Sequence, residues 1–163
     1  MSRLDSFIRR LEAQRACLDH ALLLSSGLEG VILELGLGNG RTFDHLRGAG
    51  RRIYALDREL AAHPDCVPEH LLLGEFRDTL PELARRIGRS VALVHADTGS
   101  GDRAATRANA RALPALLEPL LVEKAIVVSD QDMAPRWAVL PLPAGVAPGR
   151  YFIWRCSSNH SPA

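Results

Sequence analysis

Leu4, Phe7, Ile8, Leu11, Leu18, Ala21 and Leu22 recur at three- and four-residue intervals, the spacing of one helical face. Residues 2–25 are therefore predicted to form an amphipathic helix that stops near Gly27 and covers one side of a core. From position 31 the pattern changes to short apolar runs, at 31–35, 53–56, 70–73, 91–96 and 125–128, separated by helical stretches at 41–48, 79–87 and 102–117. Strands that alternate with helices build a parallel sheet, because each parallel neighbour has to be reached by a crossover. The runs are rich in Val, Ile and Leu without polar alternation, as a sheet covered on both faces requires.

Two features disturb this regularity. Pro114 is expected to kink or shorten the last crossover helix. The connection from Asp130 to Arg136 is too short for a crossover with its own helix, so the last part of the sheet is expected to be remodelled. Segments 137–140 and 151–155 read as two strands joined by the Pro- and Gly-rich stretch 141–149, an antiparallel hairpin in which Trp137 and Trp154 pack as a cross-strand pair. The expected fold is α/β: a doubly wound, Rossmann-like, mostly parallel sheet with an N-terminal helix and a C-terminal antiparallel hairpin. A length of 163 residues suits one domain, divided into an N-terminal helix (1–27), a core (28–130) and C-terminal strands with a tail (131–163).

Composition narrows the partners. A formal net charge of +1 supplies no field to gather nucleic acid or an anionic membrane, which leaves a small molecule as the expected partner. Arg103, Arg107 and Arg111 recur every fourth residue and read as a solvated helix face. Cys17, Cys66 and Cys156 are odd in number and in no Cys-x-x-Cys spacing, which fits a reducing cytoplasm and argues against a disulfide framework or a zinc knuckle. No apolar stretch near the N-terminus is long enough for a signal peptide or an anchor.

The chemistry gathers at the ends of the predicted strands. Gly36, Gly38 and Gly40 alternate directly after the first strand and before a helix, where the backbone turns tightly and can approach a ligand. A dinucleotide fingerprint would have its third glycine at position 41, which is Arg41, and Glu34 beside the turn would repel a pyrophosphate. S-adenosylmethionine, with an ammonium and a sulfonium, is favoured by a carboxylate there. The turn also carries Leu37, Asn39 and Thr42. Asp57 ends the second run with Arg58 next to it, and can accept from both ribose hydroxyls. Gly74, Glu75 and Phe76 end the third, offering a carboxylate and a ring face to adenine. His95, Ala96 and Asp97 end the fourth, near the expected methyl group.

With these residues the chain resembles the class I S-adenosylmethionine-dependent methyltransferases, as a short, bacterial-type member. The family's glycine motif matches residues 34–40, its ribose-binding acid matches Asp57, and its adenine contact matches Glu75, where Asp is commoner. The stretch 72–83, the His95-Ala96-Asp97 segment and Val128-Ser129-Asp130-Gln131 resemble the small-molecule O-methyltransferases. Metal-dependent members have an Asp-Asn pair where this chain has Asp130 and Gln131, so no metal is expected. The resemblance implies S-adenosyl-L-methionine as cofactor, O- or N-methylation of a small molecule, and His95 or Asp97 as a base. The chain lacks long insertions that enclose substrates, so the acceptor site is expected to be open or completed by a second copy in a homo-oligomer. Two other readings are a non-catalytic S-adenosylmethionine-binding or regulatory protein and, less favoured, a nicotinamide oxidoreductase.

Overall fold

The computed structural model describes residues 2–59, 65–99 and 101–157. The chain opens on helix α1 (Arg3–Leu24), started by a reciprocal cap in which Ser2 Oγ accepts from the Asp5 amide and Asp5 Oδ2 accepts from the Ser2 amide. Its inward face is Ala13, Gln14, Cys17, Leu18 and Ala21. The first two turns depart from expectation: Leu4, Phe7 and Ile8 are exposed, and the buried face of the helix begins at Ala13.

Strands and helices then alternate: β1 (Val31–Leu35), α2 (Arg41–Arg47), β2 (Ile53–Asp57), a 3-10 turn at Pro68–His70, β3 (Leu71–Leu73), α3 (Phe76–Ile87), β4 (Val91–Ala96), α4 (Arg103–Leu117) and β5 (Leu121–Ser129). The last described strands are β6 (Ala138–Val139) and β7 (Phe152–Arg155). All seven strands join one sheet in the order β3-β2-β1-β4-β5-β7-β6. The five strands from β3 to β5 are parallel, and β7 runs antiparallel between β5 and β6. The strand order reverses between β1 and β4, where the carboxyl ends of a doubly wound sheet open a crevice.

Alternate residues of each strand feed two cores. Leu33, Leu35, Val94 and Val127 pack with Leu80 and Leu83 of α3 and Leu113 and Leu117 of α4. Ile32, Ala55, Leu93 and Ile126 face the other way, against Cys17, Leu18 and Ala21 of α1 and Phe43 and Leu46 of α2. The doubly covered sheet predicted from unbroken apolar runs is thus present. No helix among the described residues is long and apolar enough to cross a membrane.

Three elements differ from their predicted form. β5 begins at Leu121 rather than near 125, because the exposed pair Glu123 and Lys124 interrupts the apolar pattern at an irregularity where the register with β4 shifts and Lys124 takes φ 63°. α3 begins at Phe76, three residues before the apolar periodicity becomes visible. α4 continues through Pro114 to Leu117, and its start is fixed by Asp102, whose Oδ1 accepts from the Ala104 and Ala105 amides at 2.8 and 3.1 Å. The hairpin forms as expected, but its register sets Val139, not Trp137, opposite Trp154, whose stacked neighbour is Phe152 at 5.8 Å.

Candidate functional site

A cavity of about 640 Å³ opens over the carboxyl ends of β1, β2, β3 and β4. Its floor is the turn between β1 and α2, and three further strand ends supply side chains: Asp57 and Arg58 after β2, Glu75 and Phe76 after β3, and Asp97 after β4. α1 closes one side with Arg10, Leu11 and Gln14, and α4 contributes Ala112, Leu113 and Leu116 on another.

The turn needs glycine for two separate reasons. Gly36 has φ 83°, and a Cβ there would lie 2.1 Å from the carbonyl oxygen of Asp97, so the end of β1 rests directly on the backbone leaving β4. The Asp97 amide donates to Leu35 O at 3.0 Å, closing the same junction. Gly38 has φ 50°, but a Cβ there would meet nothing within 4 Å and would project into open space. The Gly38 amide donates to Asp57 Oδ2 at 2.9 Å. The other Asp57 oxygen accepts from the amides of Arg58 and Glu59, at 2.6 and 3.4 Å. Backbone donors therefore fix the Asp57 carboxylate at the cavity edge, with lone pairs left for incoming hydroxyls.

Of the residues expected at the site, Gly36, Leu37, Gly38, Asn39, Thr42, Asp57, Arg58, Glu75, Phe76 and Asp97 line this cavity. Glu34, Gly40, Gly74 and His95 do not. Gly40 is the left-handed residue that starts α2, and Gly74 turns the chain from β3 into α3. Glu34 and His95 are fully buried behind the cavity wall, and their side chains meet there: Glu34 Oε2 accepts from His95 Nδ1 at 2.9 Å, and Glu34 Oε1 accepts from the Thr42 hydroxyl. The carboxylate expected to favour a bound cation, directly or through water, accepts from two internal donors. The reason is the period of a strand, which turns alternate side chains away from the crevice into the layer beneath.

Alongside Asp57 and Glu75 from the neighbouring strand ends, the carboxylate that reaches the cavity at the end of β4 is Asp97. Gln14 Nε2 donates to its Oδ2 at 2.8 Å, across 83 residues of sequence. Behind it lies Asp130, which accepts from the Thr98 amide at 3.2 Å and from Gln131 Nε2 at 2.8 Å. Burial, with the like charge of Asp97 nearby, pushes the Asp130 carboxyl above its ordinary range despite these donors. Burial and the same two carboxylates push the Tyr151 phenol upward as well. His95 titrates above its usual value: burial opposes its charge, but Glu34 foremost, then Asp97 and Asp130, outweigh that cost. Among the described residues no three His, Cys, Asp or Glu side chains converge as a metal-binding set.

The contributions of α1 and α4 are not evident from motif reading. For Gln14 there was a signal: it is a polar residue on the otherwise apolar stripe of Leu11, Leu18 and Ala21. Nothing local marks Arg10 or Leu116, which reach the cavity only through the packing of their helices.

Comparison with solved structures bears on the fold. An S-adenosyl-L-methionine methyltransferase from Silicibacter pomeroyi DSS-3 superposes with a TM-score of 0.86 at 46% identity, over 95% of this chain and 98% of its own. Two more distant structures share the fold. They are an S-adenosylmethionine-dependent methyltransferase from Archaeoglobus fulgidus (TM-score 0.50, 15% identity, 74% of this chain) and DesVI of Streptomyces venezuelae (TM-score 0.51, 22% identity, 80% of this chain). The chain spans 52% of the length of each of these two. No curated protein shows significant similarity to the chain. The model of the S-adenosyl-L-methionine methyltransferase family matches residues 1–156, which take in every element from α1 to β7. A glycine turn over the sheet's switch point, a near full-length relative and a family match across almost the whole chain lead to one conclusion: the protein belongs to the S-adenosyl-L-methionine methyltransferases.

Proposed function

We propose that this methyltransferase holds S-adenosylmethionine in the cavity over β1, β2, β3 and β4, and methylates oxygen or nitrogen of a small-molecule acceptor, with Asp97 as the base. The observation that carries the reading is Asp97 itself: a carboxylate on the cavity wall, at the end of β4, oriented by Gln14. The residues present suit the cofactor. Gly38 borders open space that a ligand, not a side chain, fills, and the fixed Asp57 carboxylate suits a ribose diol. Glu75 suits an adenine amino group, and Phe76 and Leu113 give apolar surface for the ring.

When bound, the cofactor supplies a methyl group on a sulfonium whose departure leaves a neutral thioether. Alignment and a proton acceptor are then what the chain has to provide. Asp97 takes the proton that the acceptor's hydroxyl or amine gives up. His95, the other expected base, has no exposed atom, so the role that suits it is support from within. A near-neutral formal charge of +1 supports a small acceptor over nucleic acid.

The test is methyl transfer from labelled cofactor across a panel of small alcohols, phenols, carboxylates and amines. One or more should be methylated, and Asp97→Asn should lower kcat on it by about a hundredfold, in the range for loss of a general base, with cofactor affinity within about threefold. Transfer only to nucleic acid or protein, or an unchanged kcat in Asp97→Asn, would refute the reading.

A further inference from the structure

The buried group that this reaction leaves unused is Glu34 with its two donors. It lies at the fourth position of β1, wholly enclosed, and so cannot touch anything in the cavity. Both of its oxygens are nevertheless committed: Oε1 to Thr42 in the first turn of α2, and Oε2 to His95 in the middle of the sheet on β4. A carboxylate can only accept, so Nδ1 of His95 carries the hydrogen between them. The imidazole cannot swing away, since its ring stacks on Tyr151, centroids 6.3 Å apart and 8° from parallel. Among the described residues its buried Nε2 has no hydrogen-bond partner, an arrangement that costs stability.

At the opposite end of this chain of bonds lies a segment with little stability of its own. α2 has seven residues, and its N-terminal position is Gly40 in a left-handed conformation with no side-chain cap. The turn before it carries left-handed glycines at 36, 38 and 40, each with wide freedom when unrestrained. Thr42 is the residue where this loose segment meets a fixed charge beneath it, and Thr42 also lines the cavity.

We propose that Glu34 is a positioning residue: held from behind by His95, it grips Thr42 and so keeps the glycine turn and the start of α2 in the binding shape before the cofactor arrives. The carboxylate thus serves the cofactor without contacting it. Ordering that would otherwise be lost entropy at the moment of binding is already present in the free protein.

This inference rests on the reading that the cofactor occupies this cavity, and the experiment separates the two. Amide hydrogen exchange of residues 36–44 is followed in the ligand-free protein, beside calorimetric affinity for S-adenosylhomocysteine, in Thr42→Val, Thr42→Ser, Glu34→Gln and Asp57→Ala. Thr42→Val should exchange about tenfold faster in this segment and bind about tenfold more weakly, the loss of one charge-assisted hydrogen bond. Thr42→Ser, which retains the hydroxyl, should restore both to within about twofold. Glu34→Gln keeps an acceptor but not the charge, and should lie between. Asp57→Ala should weaken binding without speeding exchange at 40–44. Unchanged exchange in Thr42→Val overturns the inference even if Glu34→Gln fails to fold. So does faster exchange with unchanged affinity. If Asp57→Ala also binds normally, the placement of the cofactor is itself wrong.

Discussion

Gln14 on α1 and Asp97 at the end of β4 meet through a hydrogen bond of 2.8 Å, which ties the N-terminal helix to the strand end where the sheet reverses its order. The helix therefore belongs to the site as well as to the core. Gln14→Ala should leave Asp97 free to rotate and lower kcat about tenfold, the effect of losing one hydrogen bond to a charged group. Cofactor affinity, read by calorimetry, should change much less than kcat.

Gly36 and Gly38 share a left-handed backbone but not surroundings, and this separates their alanine variants. Gly36→Ala sets a methyl 2.1 Å from a backbone oxygen that cannot give way. Its stability in urea should fall by at least about 3 kcal/mol, as for other forced backbone clashes. Gly38→Ala meets no atom and should lose only about 1 kcal/mol, the ordinary cost of a side chain at positive φ, while cofactor affinity drops because the methyl enters the cavity.

The raised His95 group makes stability depend on pH in a defined direction. Its folded value lies above the unfolded one of about 6.5, so its contribution is complete below that pH and disappears as pH rises through the folded value. The stability advantage of the wild type over His95→Gln, measured by denaturation at several pH values, should shrink as pH is raised from about 6.5. A constant difference would show that folding leaves the titration of His95 unchanged.

All three cysteines are buried and free. Burial pushes the Cys17 thiol up to about 11 and, with the Glu118 charge, the Cys156 thiol up to about 12, and Cys66 is raised in the same way. A thiol reagent near neutral pH should modify none of them in the native protein and all three after denaturation.

Much of this was legible in the residues. The unbroken apolar runs announced a sheet buried on both faces, and the alternating glycines announced the turn, because each depends on local chemistry that no packing can replace. The burial of Glu34 was not legible, for an equally physical reason. Its position at a strand end suggested an exposed carboxylate, but which face a strand residue takes depends on register with β2 and β4, and register is a property of the assembled sheet. Gln14 and Asp97 are related only by tertiary packing. Helix–strand contacts over such a separation leave no periodic trace, beyond the single polar residue on an apolar stripe.

One consequence belongs to the junction of Gly36 with the Asp97 carbonyl. The glycine turn after β1 and the residue Asp97 at the end of β4 are joined main chain to main chain, with no side chain between them to act as an adjustable spacer. Substitutions in α1 or α4 can therefore reshape the chamber for a different acceptor while the spacing between these two parts stays constant.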